Sequence, residues 1–394
     1  MMACLGSMSC SGTDDGAFLS AEGLRYEQRV PLPIGNQDRY WPGFTVGNGT
    51  IVTADKLHAS CSVYERGTRD CGISIVDNSN GAWARTAFFE EPGLRSIAVL
   101  ATNGETVIVG RGFVDNSKAV FYERRGSAWI PTYELPSNPT DAIAIHRDTA
   151  VVAEVDRSGE SVLGKLTFLD RRLGQWAKAQ VLLSSDVVSH FGCFNSLDMD
   201  EDTVIVGDYV RQRAHVFERT DEQWQETAVL TSPNPDEEAH AEFGFSVAVS
   251  GNRVAVGASG EEPNGVYVFE KGPDGSWEVA ARVQASNASQ YHRPDKPVVR
   301  AFGSGIALHG DLLIVGARIE GSFAVGINNP IPVTHTDSRM GAAYLFERIN
   351  GEWQERYYIK VPDSYELGQS VALDAERLWV ADLRSVHVWV HAQP

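Results

Sequence analysis

Six tryptophans, Trp83, Trp129, Trp176, Trp224, Trp277 and Trp353, follow one another at intervals of 46, 47, 48, 53 and 76 residues. Each closes a similar ladder of short apolar alternations. The clearest ladder is residues 243–285, FGFSVAVSGNRVAVGASGEEPNGVYVFEKGPDGSWEVAARVQA. Four runs alternate with period two: Ser246–Ser250, Arg253–Ala258, Gly265–Glu270 and Trp277–Val283. That period places apolar side chains on the faces of short strands. Gly-Asn, a Gly/Pro/Asn loop and Gly-Pro-Asp-Gly break the runs, and these residues form tight turns. A four-stranded unit recurring every 40–50 residues or so specifies the blade of a β-propeller.

Other positions of the unit recur with the tryptophan. The second strand returns as Val107-Ile-Val-Gly, Val204-Ile-Val-Gly, Val254-Ala-Val-Gly and Ile314-Val-Gly-Ala. The third returns as Ala119-Val-Phe-Tyr-Glu, Leu166-Thr-Phe-Leu-Asp, Ala214-His-Val-Phe-Glu, Val266-Tyr-Val-Phe-Glu and Ala343-Tyr-Leu-Phe-Glu. A Phe-Gly pair opens units at Phe191, Phe243 and Phe302, and Leu367-Gly368 opens a fourth. In these residues the chain resembles the FG-GAP repeat family, which builds the propeller of integrin alpha-subunit heads and of many bacterial surface proteins. The resemblance is closest over 243–284, looser before residue 160, and spans about 41–390 when weak units are included. It implies an all-β propeller and a binding or adhesion role outside the cell. It says little about chemistry, which is grafted onto folds site by site.

The blade count is seven. Units run at about 41–91, 93–135, 140–183, 191–230, 243–284 and 302–361, and the seventh is composite. Leu367–Val390 supplies three strands and then the chain stops. At the other end, Leu24-Arg-Tyr-Glu-Gln-Arg-Val-Pro-Leu-Pro reads as a lone fourth strand. Pairing the two closes the ring and removes a free sheet edge. Residues 23–394 are therefore expected to form one propeller, preceded by a flexible segment, 1–22. Within that segment Ser7-Met-Ser-Cys10 resembles the end of a lipoprotein signal, although Ser7 stands where a Leu-like residue is usual. A lipid anchor and a plain disordered tail both remain open. The tryptophans read as wedges between neighbouring sheets.

Lys and Arg number 34 against 52 Asp and Glu, a net charge of −18. Nucleic-acid binding needs a basic footprint, so that class is set aside. No run of 18 apolar residues exists, and no transmembrane helix is expected. Among five cysteines, Cys61 and Cys71 flank one loop and could be bridged; the odd count argues against a full disulfide framework.

The resemblance raises calcium, because family loops place Asp or Asn at alternate positions, followed by Gly and a closing Asp. The nearest approach is Asp198-Met-Asp-Glu-Asp202. Thr203 stands where the Gly would fall and Val206 where the last Asp would. No metal or other cofactor is expected, and the acids read as a solvated turn. The ten histidines show no metal-ligand spacing, and no G-x-S-x-G nucleophile elbow occurs.

Strand direction puts second-to-third loops and blade links on one face, here the top. Three long segments fall there, 55–71, 286–300 and 318–340, and the last two are expected side by side. Those two carry Tyr291, His292, Arg293, Lys296, Arg300, Phe323, His335 and Arg339, a basic and aromatic group on an acidic chain. Arg and aromatic residues are enriched at interface cores. The expected function is non-catalytic binding, outside the cell or at the cell surface or outer envelope, with a protein or carbohydrate partner on these loops. The competing class is a propeller lyase or hydrolase whose acid and base groups converge only in the fold.

Overall fold

The alternating runs pair into seven antiparallel sheets, five of which follow chain order from the inside outwards. The computed structural model describes residues 21–31, 44–55, 71–78, 82–91, 98–111, 118–136, 140–156, 163–187, 196–233, 242–260, 265–288, 301–322, 325–328 and 339–391. In blade five, Phe243–Ser250, Arg253–Ala258, Gly265–Lys271 and Trp277–Val283 form one meander. The first strands of the seven blades are Phe44–Gly47, Ala98–Thr102, Ala142–His146, Leu197–Asp200, Phe243–Ser250, Phe302–His309 and Ser370–Leu373. They stand around the central axis. Cys71 opens the third strand of blade one, Cys71–Asp77; Cys61 lies outside the described residues.

The seventh sheet is the composite. Leu24–Pro31 pairs antiparallel with Ser385–His391, from Leu24 opposite His391 to Pro31 opposite Ser385. Blade six departs from the four-strand pattern. Gly326–Ile327, inside the long 318–340 segment, pairs with Lys360 and Ile359 as a fifth strand on the outer edge. This part of the segment therefore runs along the sheet and is not loop.

Apolar side chains gather between blades. Among the described residues seven clusters form, one at each junction of neighbouring blades. The junction of blades seven and one holds Val30, Ile51, Val76, Trp83, Trp379, Val386 and Val388, so the ring is closed by a core like the other six.

The recurring glycines have a shared cause. Gly244, Gly303 and Gly368 have φ of +93°, +89° and +84°, a region that favours glycine. Their carbonyls press against the second strand of the preceding blade. A Cβ at Gly207 would sit 1.9 Å from the Gly244 oxygen, and one at Gly316 1.7 Å from the Gly368 oxygen. Val-Gly in one unit and Phe-Gly in the next are thus two halves of one backbone contact.

The tryptophans wedge unevenly. Trp83, Trp176 and Trp224 are buried, whereas Trp129, Trp277 and Trp353 are half-buried at the margins of their clusters. Trp224 stacks on Phe168 of the previous blade, with centroids 4.4 Å apart and planes at 11°. Gln180 grips the same residue: its Nε2 donates to the Trp224 carbonyl, and its Oε1 accepts from the Trp224 N–H, both at 2.8 Å. Trp224→Ala should lower unfolding free energy by roughly 3 kcal/mol or more, as for other buried aromatics. Trp277→Ala should cost less. Urea unfolding of the two variants checks the order, and the reverse order would contradict this wedge geometry.

Candidate functional site

A cavity of about 730 Å³ lies on the axis, lined by the first strands of all seven blades. Its walls include Val46, Val99, Ile145, Leu197, Val371 and Leu373, each partly exposed. Towards the first-to-second turns the lining becomes polar, with Asn48, Asn103, Glu105, His146, Arg147, Asp198, Asp200, Ser250, His309 and Asp374. Four acids thus meet a single arginine. Arg147 is itself 3.6 Å from Glu201 and largely exposed.

The polar end is also where blades are fastened to one another. Innermost strands have no sheet neighbour on the axis side, so their backbone groups need partners from elsewhere. Asp198 Oδ2 accepts the Val249 N–H at 2.8 Å, and Asp200 Oδ2 accepts the Gly251 N–H at 2.7 Å. Asn103 Nδ2 donates to the Arg147 carbonyl at 2.6 Å, and the Gly310 N–H donates to Ser250 Oγ at 3.0 Å. The acids at 198 and 200 are therefore not a solvated turn. They alternate because a strand presents every second side chain to the same neighbour, here the first strand of blade five.

Asp200 also faces the previous blade, its Oδ1 lying 3.4 Å from His146 Nδ1. His146 Nε2 is buried with no hydrogen-bond partner. Burial pushes the Asp198 carboxyl up to about 7. The N–H groups of Val249 and Met199 pull it down, and the charge of Asp200 adds a smaller push upwards. No group of three His, Cys, Asp or Glu side chains among the described residues is arranged to hold a metal ion.

The second place where side chains converge is the top of blade six. Lys360 ends its fourth strand, Glu352–Lys360, and is fully buried. Its ammonium donates to Glu320, also fully buried, and to the Ser322 carbonyl at 2.5 Å. Ser322 Oγ lies 2.6 Å from Tyr358 Oη. On the same strand Glu355 accepts the Ser286 N–H at 2.9 Å and its hydroxyl at 2.7 Å, while Tyr344 Oη donates to Asn287 Oδ1 at 2.9 Å. Burial pushes the Glu355 carboxyl and the Tyr344 phenol up.

The starts of both long segments are thus fixed beside one strand. Of the eight residues singled out on them, Arg339 is described. It is half-exposed and 3.2 Å from the buried Glu366. Tyr291, His292, Arg293, Lys296, Arg300, Phe323 and His335 lie outside the described residues. Sequence reasoning missed Glu320, Lys360 and the clasping use of Asp198 and Asp200. A charged residue directly after Tyr357-Tyr358-Ile359, at the end of the fourth strand, was the available sign of the first.

Residues 224–269 match the FG-GAP repeat family. The match begins in the outer strand of blade four and ends in the third strand of blade five, so the sequence unit straddles a blade junction. No curated protein matches the chain. Solved structures share the fold. A chain in a crystal structure of a mitotic checkpoint complex superposes with TM-score 0.57 at 11% identity, covering 98% of this chain and 100% of its own. The β-propeller domain of the trilobed protease from Pyrococcus furiosus gives 0.51 at 11%, covering 90% and 94%. A protein described as a 6-phosphogluconolactonase from Bacteroides uniformis gives 0.52 at 13%, covering 81% and 86%. At such identity these likenesses bear on the fold alone.

Proposed function

Because this chain is an FG-GAP repeat β-propeller protein, we propose that it is a non-catalytic binding protein working at a cell surface or outside the cell. Its partner is a protein or glycan held on the top-face segments 286–300 and 318–340. The observation that carries this reading is the anchoring of both segments on blade six, through Ser286, Asn287, Glu320 and Ser322. Long connections cost entropy to order, and binding residues concentrate on loops held by a rigid scaffold. The cations of the segments favour an acidic partner on a chain of net charge −18. A lipid tether at Cys10, outside the described residues, belongs to the same proposal. Among the described residues no helix is long and apolar enough to cross a membrane.

Arg339 neutralises Glu366, so charge reversal there would disturb the fold as well as the surface. The test therefore uses Arg293→Glu, Lys296→Glu and Arg300→Glu together. Applied to immobilised heparin and to an array of sialylated and sulfated glycans, the triple variant should elute at lower salt and lose array signal, with an unchanged melting temperature. Surface charges act through screened attraction, so the salt dependence should flatten too. Identical elution and array profiles would overturn the assignment of these loops.

One observation favours the enzyme reading. Asp198, with a carboxyl near 7, stands beside Asp200 and His146 in the axial cavity. Groups of that kind serve as general acids or bases. Against it, both carboxylates already hold the backbone of blade five.

A further inference from the structure

We propose that the axial cavity is a second binding site, separate from the top-face segments, and that it takes a small organic cation with an apolar body, such as an alkylammonium. Its volume, about 730 Å³, falls in the range of small-molecule sites. Two independent features set the chemistry of the occupant. The first is the wall. Val46, Val99, Ile145, Leu197, Val371 and Leu373 line the cavity and are each partly exposed. Covering apolar surface of this kind with a hydrocarbon is favourable.

The second feature is the polar end. Glu105, Asp198, Asp200 and Asp374 outnumber Arg147, which Glu201 already accompanies. Asp200 Oδ1 lies 3.4 Å from His146 Nδ1, and the buried His146 Nε2 has no hydrogen-bond partner. Buried polar atoms are nearly always hydrogen-bonded. Among the charged side chains of this end, acceptors outnumber donors four to one. An ammonium or guanidinium group supplies donors and positive charge together, whereas a carboxylate or phosphate supplies neither.

Charge alone would draw cations anywhere on a protein of net charge −18, so the test separates the cavity from the surface. The full chain is titrated calorimetrically at pH 8 with hexylammonium, with hexanol and hexanoate as controls. Hexylammonium should bind saturably, and the two controls should bind at least tenfold more weakly, a difference of about 1.4 kcal/mol. Asp198→Asn keeps an acceptor for the Val249 N–H but removes the charge, and should weaken hexylammonium by a similar factor. Val371→Phe fills the cavity and should abolish binding without touching the acids. Glu278→Gln with Glu352→Gln removes two exposed charges away from the cavity and should change nothing. Melting curves show that each variant is folded, and if Asp198→Asn is not, Val371→Phe decides. Absence of saturable binding, equal binding of hexanol, or full binding by Val371→Phe would each overturn the proposal.

Discussion

Lys360→Met should destabilise the protein by roughly 3–5 kcal/mol, the cost of leaving one member of a buried ion pair alone. Lys360 and Glu320 are both fully buried, 40 residues apart in sequence, and joined directly. Burial pulls the Lys360 ammonium down from its usual range, and the charge and hydrogen bond of Glu320 hold it up. Met matches the lysine stem and packs without strain, so the loss isolates the missing charge. Glu320 would keep the Ser322 N–H and hydroxyl at 3.1–3.2 Å, which is too little to solvate a buried carboxylate. The double variant Lys360→Met with Glu320→Gln removes both charges and should recover much of the loss, because replacing both members of a buried pair is often close to neutral. Urea unfolding of the parent, the two single variants and the double variant gives the coupling energy. A single variant within about 1 kcal/mol of the parent would mean that the pair contributes little. The same pair fixes the start of the 318–340 segment, so loss of glycan or heparin binding in Lys360→Met alone would tie the lock to the proposed surface.

What the sequence displayed and what it hid divide by distance along the chain. Blade boundaries are local: alternation, Gly-Asn turns and the Phe-Gly pair lie within 50 residues or so of one another, and each repeat reinforces the next. The seam was legible too, since residues 24–31 read as a fourth strand and 367–390 as three strands of one blade, and the two pair. Contacts between blades were not legible. Asp198 and Asp200 look like a solvated turn because their partners, Val249 and Gly251, are backbone groups of another unit. Any residue type but proline offers the same N–H, so the sequence carries no sign of it. Trp224 and Trp277 occupy the same repeat position, yet one is buried and the other half-exposed. The difference lies in the preceding blade, where Phe168 and Gln180 cover Trp224. Glu320 sits in the long 318–340 segment, 40 residues before its partner Lys360, so repetition gave no help. On the axis, seven first strands with ordinary apolar residues enclose a cavity only once the ring closes.

Removal of residues 1–31 should leave a chain that aggregates or melts far below the parent, because this strand both completes blade seven and joins it to blade one. Within the blade, Leu24 and Val30 are buried, and Tyr26 packs edge-on against Trp389 at 5.3 Å. Burying two such aliphatic side chains is worth about 1.5–3 kcal/mol each. Across the seam, Gln28 Oε1 accepts the Trp83 N–H at 3.0 Å and its Nε2 donates to the Trp83 carbonyl at 3.3 Å. Gln180 grips Trp224 in the same way between blades three and four. Glu27 adds bonds to Trp83 Nε1 at 3.3 Å and Arg377 Nε at 3.2 Å. Deletion therefore uncovers Ser385–His391 as a bare apolar edge, the kind that pairs with other chains, and weakens the last junction of the ring. Position in the chain should not matter, only presence of the strand. Leu24 lies opposite His391, so a tight turn after His391 can carry residues 24–31 as a C-terminal hairpin. This permuted chain should regain monomeric size on gel filtration and most of the parent melting temperature. A deletion variant that stays monomeric and melts with the parent would show that blade seven closes without it. Failure of the permuted chain alone would place the requirement on the native connection leading out of Pro31 into blade one.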